Sequence, residues 1–493
     1  MGVFLGATAH PLFHRSGPFL VVTLLLAGCT VGPDFLRPKM DLPAQFTEHA
    51  ATPTEIAVTN ARLSHWWRSF DDPDLDKLVA ESIAGNIDLQ VATERLVQAR
   101  AERDQVAAGA YPTIDAEGAI TRARASSTVE YPPGFGNYHS YILGFDASWE
   151  LDIFGENRRA TEAAEDQVLR TEAGRRALLV SLTSEVASDY ATLRAAQYRL
   201  TIAQGNVNTA RSVVDLTEKE LTEGIGTDLE TLQARAQLEA TESTLPALRA
   251  QVAVMAHAIA VLLGRYPGDL EAQLKRPRPL MSPPPTLPRT IPVEVIANRP
   301  DVHEAELQYA SANAEIGVAV AEQLPHFSIP LSITPQASAL NMLFSGASLT
   351  YSAALAATQH VYAGGRYRAR ERAARAAAEV ARLQYKTAVL TALQDVEDAT
   401  VHLQSDRATE AELAASLKDA EAALDHATRL YNAGLTDFIT LLTDERTVFA
   451  SRDALANSQV AVLQDIIALF KALGGGWQHI DLDIKPVSVP GAA

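Results

Sequence analysis

The sequence predicts a mainly α-helical chain made of two duplicated halves. Each half carries a pair of β-strands that can close a barrel only together with strands from other copies. Three observations lead there. A pattern of segments recurs at an interval of about 210 residues, too long for a solenoid unit and right for a duplicated half. Four stretches of roughly ten residues alternate apolar and polar side chains. One long stretch keeps an apolar residue at every seventh position, and a second repeats the run with Glu410 as its exception.

Composition narrows the function before any motif does. The 493 residues carry a formal net charge of -18, which argues against nucleic acid, because phosphate binding needs clustered Lys and Arg. Aromatic residues make up 6%, and the abundant Ala suits closely packed helices better than one large globular core. Cys29 is the only cysteine, so no intrachain disulfide framework and no Cys-based zinc site can form. It stands directly behind a leader, residues 1–28, with a positive Arg15 and a short apolar core, "PFLVVTLLLAG". That core falls short of the ~20 residues a spanning helix needs. Leu26-Ala27-Gly28-Cys29 resembles a bacterial lipobox, whose cysteine is acylated, palmitate included, and becomes the first mature residue. The plainer alternative is a cysteine that follows an ordinary signal peptide. Thr30, where an Asp would retain a lipoprotein in the inner membrane, points to the outer one. Beyond the leader, no stretch approaches 18 successive apolar residues.

The duplication sets the domain plan. "NIDLQVATERL" with "AAGAYPTI" (86–114) recurs as "RPDVHEAELQY" with "AEQLPHFS" (299–328). "IFGENRRA" (153–160) recurs as "VYAGGRYRA" (361–369), and "GIGTDLETL" (224–232) as "GLTDFITLL" (434–442). The expected order is a leader, 1–28, and a lipidated extended segment, 29–72. A first repeat of helix, strand pair and two long helices follows, 73–274. A Pro-rich linker, 275–292, leads to a second repeat in the same order, 293–473, and a tail, 474–493.

The strands fall at 113–151 and 327–358. Ile114, Ala116, Gly118 and Ile120 alternate with Thr113, Asp115, Glu117 and Thr121, and Tyr141, Leu143, Phe145, Ala147 and Trp149 alternate with Asp146, Ser148 and Glu150. Phe327, Ile329, Leu331 and Ile333 repeat this, then Leu349, Tyr351, Ala353 and Leu355. Pro330 predicts a bulge or a missing ladder bond. An ordinary soluble sheet would also alternate. Carboxylates on one face and aromatics on the other fit a wet lumen and a membrane interface better. Four strands cannot close a barrel, for which ~8 is the practical minimum, and an open edge is not tolerated in lipid. Several chains must then contribute, and three would give twelve strands.

The helices carry the heptads. Leu179, Val186, Leu193, Leu200, Val207, Val214 and Leu221 are followed three positions on by Leu182, Asp189, Ala196, Ala203, Ala210 and Thr217. Val389, Val396, Leu403, Glu410, Leu417, Leu424 and Tyr431 repeat the run. A helix from Glu156 to Glu223 would be roughly 100 Å long. A solid coiled-coil rod is the alternative reading, but it has no use for lumen-facing carboxylates. Gly224 and Gly434 suit helix stops, and Thr227 and Thr436 suit the N-caps that follow.

Six motifs, in order, resemble the outer-membrane factor family, the TolC-like channels of tripartite efflux pumps, in its lipoprotein branch serving resistance-nodulation-division pumps. They are "CTVGPDFLRP" (29–38), "WWRSFDDPDLDKLV" (66–79), "ELDIFGENRRA" (150–160), "NRPDVHEAELQYASANAEIGVAVAEQLP" (298–325), "YNAGLTDFITLL" (431–442) and "LFKALGGGW" (469–477). The resemblance implies a homotrimer with a twelve-stranded outer-membrane barrel continued by a coiled-coil periplasmic tunnel. It implies passive export of what an inner-membrane pump delivers through a periplasmic adaptor protein, with Cys29 anchored in outer-membrane lipid. It also implies a gate at the helix tips, where a Tyr–Asp–Arg link joins the coils. Tyr431 matches the tyrosine, Glu230 stands for the aspartate and Thr436 replaces the arginine. Thr440 and Thr443 stand where the family has aspartate rings, with Ile439 and Leu442 as the expected apolar constriction. Gly224, Thr227, Asp228, Gly434 and Asp437 mark the tips that would meet the adaptor, and Asp228, Asp437 or Asp444 would supply any acidic ring.

Catalytic signatures are missing: the sequence holds no HExxH, GxSxG, Walker loop or GxGxxG. The histidines lack metal-ligand spacing, and His65 beside Trp66 and Trp67 fits packing or an interface. No enzyme activity, metal or cofactor is expected. A structural periplasmic coiled-coil lipoprotein or adaptor remains the alternative to a channel.

Overall fold

A computed structural model describes residues 30–39, 63–124, 137–284, 296 and 298–478. The leader, Cys29, the later part of the Pro-rich linker and the tail from 479 lie outside the described residues. The elements are α1 (Pro73–Gly85), α2 (Ile87–Ala107), β1 (Thr113–Arg124), β2 (Asn137–Leu151), α3 (Glu156–Thr222), α4 (Asp228–Glu242) and α5 (Thr244–Leu262). The second half supplies α6 (Pro300–Ala321), β3 (His326–Ala337), β4 (Leu349–Ala353), β5 (Ala356–Thr358), α7 (Arg366–Asn432) and α8 (Phe438–Ala472). The duplication is metrically close. Helices α3 and α7 each hold 67 residues, about 100 Å of helix.

The halves differ at one place. α8 is continuous over 35 residues, whereas its counterpart breaks at Ser243 into α4 and α5. Pro246 explains the break. It has no N–H to give the carbonyl of Glu242, and it is tolerated only in the first turn of a new helix. The span Asp228–Leu262 is long and apolar enough to cross a membrane by length and composition, contrary to the expectation that none would be. Its apolar stripe, Val252, Ala256, Ile259 and Ala260, is packed into the helical core instead.

Two compact units divide the chain, one formed by the N-terminal residues up to Pro38 with Gln98–Leu169 and Glu306–Leu383, the other by the remainder. In the first, all strands join one antiparallel sheet in the order β1-β2-β3, with β4 and β5 both paired to the far side of β3. The register puts Ile114, Ala147 and Leu331 in one row across the strands, and Ala116, Phe145, Ile333 and Tyr351 in the next. The opposite face carries Asp115, Asp146, Ser332 and Ser352 in line. Among the described residues much of the apolar face lies open: Ile114 is 70% exposed, Phe145 62% and Tyr351 81%. Pro330 produces the missing ladder bond rather than a bulge. β4 and β5 keep one register against β3 and are separated only opposite Pro330 and Ile329. Pro335 does the same on the other side, where pairing lapses at Leu143 and Gly144.

In the second unit the heptad positions form the core. Leu179, Val186, Leu193, Val207 and Val214 are buried, as are Leu182, Ala196, Ala203, Ala210 and Thr217. The outer heptads of α7 are less covered, since Glu410, Leu417 and Leu424 are only half-buried. Trp66 is buried and stacks on Phe470 at 5.2 Å, so the Trp pair packs, as its sequence suggests. Asp72 caps α1 through the amides of Asp74 and Leu75 and accepts the Tyr190 hydroxyl at 2.9 Å. Buried Arg194 reaches Asp74 at 3.1 Å and lies over the Tyr190 ring. Buried Arg299 donates to the carbonyl of Ala472 at 2.8 Å and pairs with Asp301 and Asp395, fastening the start of α6 to α7 and the end of α8.

The bare face makes a sided prediction. Phe145→Lys should cost about 2–4 kcal/mol of folding free energy in lipid, if the position lies at mid-membrane. Asp146→Lys, one residue on and on the opposite face, should cost less than 1 kcal/mol. Urea titration of protein folded into liposomes reads both, and equal costs would contradict the two-faced reading.

Candidate functional site

The helix tips hold the first candidate. α3 ends in a turn in which Gly224 has φ +79°, and α7 ends likewise at Gly434 with φ +69°, the left-handed conformation glycine tolerates best. Thr227 caps α4 within a full capping box: its hydroxyl accepts the Glu230 amide, and the Glu230 carboxylate accepts the Thr227 N–H at 2.8 Å and hydroxyl at 2.9 Å. In the second half the cap is Asp437, not Thr436. Its Oδ1 accepts both the amide and hydroxyl of Thr440, and these bonds hold its carboxyl below the ordinary range.

Four helices meet behind these turns. Val214 of α3, Ala234 of α4, Ala427 of α7 and Phe438, Leu441 and Leu442 of α8 form one buried cluster, with Tyr431 against it. The Tyr431 hydroxyl donates to Glu220 Oε2 at 2.8 Å. Burial, then the Glu220 bond, push that hydroxyl's pKa above its usual range. The acidic partner in this link is therefore Glu220, and Glu230, expected in that role, is committed to its own capping box. Thr436 is half-buried, and Ile439, Thr440 and Thr443 are exposed. Leu442 is 1% exposed, so it packs between the helices and cannot line a lumen, as the apolar constriction required. Ile439 alone keeps an apolar side chain at the surface there. The exposed apolar ends of the tips are Ile225, Leu229 and Leu435; of the residues marked as tips, Gly224, Thr227, Asp228, Gly434 and Asp437 all lie exposed around them.

Two more residue pairs join the helical hairpins and were not legible as motifs. Arg446 Nε donates to Gln237 Oε1 at 2.6 Å, joining α8 to α4. Arg199 forks onto Asp453 at 2.7 and 3.1 Å, joining α3 to α8. Beside Arg446, Glu445 is 2% exposed and neither carboxylate oxygen finds a partner among the described residues. Burial raises its pKa to about 7, with the Arg446 charge opposing.

The second candidate is the segment that follows Cys29. Arg159, buried at the start of α3, donates to the carbonyls of Val31 and Gly32 and pairs with Asp34 at 2.7 Å. Asn313 donates to Pro33 O, Phe35 meets the Tyr309 ring edge-on, and Arg37 pairs with Glu306. Gly32, at φ +95°, crosses Gly317 so closely that an added Cβ would sit 2.4 Å from its Cα. This strap holds Thr30 against Gly155, in the turn between β2 and α3.

A model of the family described as "outer membrane efflux protein" matches residues 78–265 and 291–475, one stretch in each half. The chain belongs to the outer membrane efflux protein family. It is 30% identical over 462 residues to the cation efflux system protein CusC of Escherichia coli, covering 94% of this chain and 98% of that one. It is 29% identical to the toluene efflux pump outer membrane protein TtgC of Pseudomonas putida, over 93% of this chain and 94% of that one. The solved outer-membrane channel OprN superposes with a TM-score of 0.84 at 35% identity, covering 91% of this chain and all of that one. As a family member, this chain is an outer-membrane channel component of an efflux system, and its wide match extends across both sheet and tips.

Two outcomes follow for the tips. Tyr431→Phe removes one hydrogen bond to a charged group, worth on the order of 1–2 kcal/mol, so leak conductance should rise about tenfold in planar bilayers; an unchanged leak would show that this bond does not hold the tips. For Glu445 the folded-state pKa lies above the unfolded one. The folded state then binds more protons, and stability falls as pH rises from about 4.5 through about 7. Glu445→Gln should flatten that pH dependence by on the order of 3 kcal/mol between pH 5 and 8 in urea unfolding.

Proposed function

We propose that three copies of this chain form one channel, with twelve strands closed into an outer-membrane barrel and the heptad helices forming a periplasmic tunnel. The channel is the passive exit duct of a tripartite pump. The carrying observation is the sheet whose continuous apolar face lies largely open among the described residues. Among those residues its outer strands, β1 on one side and β4 with β5 on the other, have partners on one edge only. In hydrocarbon, unpaired backbone edges cost several kcal/mol per group, so closure with other copies is the solution that meets both demands.

The carboxylate-bearing face lines the lumen in this arrangement. What passes is set by the inner-membrane pump, consistent with relatives named for cations and for toluene. A periplasmic adaptor docks at the tips, where Ile225 and Leu435 are 76% and 74% exposed, and engagement there separates the hairpins joined by Tyr431–Glu220, Arg446–Gln237 and Arg199–Asp453. An acidic ring, if the tips carry one, is supplied by Asp228 or Asp444, because Asp437 is spent on its cap.

Cys29, acylated, tethers each protomer, while the strands do the spanning. Two measurements test this. Purified protein in a planar bilayer should conduct in discrete steps once adaptor is present, and a trimer that never conducts would overturn the channel. Cys29→Ser protein, exported with a working signal peptide, should remain in the membrane fraction; its release to the soluble periplasm would favour a lipid-tethered coiled coil instead.

A further inference from the structure

At the place where the strands hand over to helix, three ligand-bearing side chains from distant parts of the sequence converge. Glu150 lies one residue from the end of β2, Glu156 opens α3, and His326 opens β3. His326 Nδ1 is 3.0 Å from Glu150 Oε1 and 3.5 Å from Glu156 Oε2, and the three donor atoms all lie within 4.8 Å of one another. A tetrahedral ion with bonds of about 2.0–2.2 Å to nitrogen and oxygen has ligand–ligand edges of about 3.4 Å. The two distances from the imidazole bracket that edge, as a first-row divalent ion requires.

Charge and space agree with this. Four carboxylates gather here: Glu150, Asp152, Glu156 and Glu322. Asp152 is answered by Arg158 and Glu322 by Arg370, whereas among the described residues Glu150 and Glu156 pair only with the imidazole. Glu322 keeps one buried oxygen without a partner among the described residues. The same three ligands border a cavity of about 190 Å³, floored by Ala160, Val318 and Ala321, with room for a water in a fourth coordination position.

We propose that Glu150, Glu156 and His326 form a resident site for a divalent transition-metal ion, zinc being the fitting probe. An imidazole with two carboxylates is a nitrogen–oxygen donor set that favours zinc-like ions over magnesium or calcium. Bound there, the ion would join β2, α3 and β3, and so both halves of the duplication, at one point beside the strap that follows Cys29. Its role would be structural, since three segments of the chain share it.

The full mature chain, purified in detergent without a polyhistidine tag and stripped of metal, should take up about one zinc per protomer from a chromophoric chelator. His326→Ala and Glu156→Gln should each weaken that uptake by at least about tenfold, and His402→Ala, on α7, should leave it unchanged. Zinc should also raise the thermal midpoint of the wild-type protein and not that of His326→Ala. Uptake well below one ion per protomer in the unmodified protein would overturn the proposal without recourse to any variant. So would zinc binding that His326→Ala leaves intact, or calcium binding as tight as zinc, either of which would mark an exposed acidic cluster only.

Discussion

The structure depends on one constraint: a sheet with an apolar face and two open edges cannot exist alone in either water or lipid. Water penalises the exposed apolar face of Ile114, Phe145, Ile333 and Tyr351. Lipid accepts that face but penalises the free N–H and C=O groups of β1 and β4. Only closure with strands of other copies satisfies both. The duplication then has a plain use. Two strand pairs per chain reduce the number of copies needed to close a ring, and the equal lengths of α3 and α7 let two near-equivalent helical pieces follow.

Around that constraint the chain separates fixed from movable contacts by chemistry. The fixed ones are buried and multiply bonded: Arg299 to a carbonyl and two carboxylates, Arg194 to Asp74 and across the Tyr190 ring, and Arg159 to the strap. The links between hairpins toward the tips, Tyr431–Glu220 and Arg446–Gln237, are half-exposed, and Arg199–Asp453 joins the hairpins farther along. Such bonds contribute about 1 kcal/mol each and can exchange for water without unfolding anything. Glu445 adds a buried carboxyl to the same region, so tip stability and protonation are coupled there.

Much of this was legible in the sequence because it rests on periodicity. Heptads located α3 and α7, alternation located the strands and their faces, and Pro330 announced the lapse between β4 and β5. What was not legible depends on side chains meeting across long separations. Tyr431 and Glu220 are 211 positions apart, and a motif match chose Glu230 instead. The local pattern Thr227-x-x-Glu230 is a capping-box signature and would have shown that carboxylate to be engaged. Leu442 looked like a constriction because it neighbours the expected ring, yet its heptad phase puts it inside. His326 and Glu150 are 176 positions apart, so a search for close metal-ligand spacing passed over them; only the β2–β3 register brings them together. The break at Ser243 was readable from Pro246 and was missed because the duplication suggested two continuous helices.

Closure between copies can be measured through the strand edges. Cys29 is the only native thiol and is consumed if acylated, so cysteines placed in pairs along β1, from Thr113 to Ala123, and along β4, from Leu349 to Ala353, report on these edges alone. If the edges meet between protomers, oxidation of membrane-embedded protein should give crosslinks for pairs in one register, ending at a covalent trimer. Ladders beyond three, or no crosslink in any register, would contradict the shared barrel.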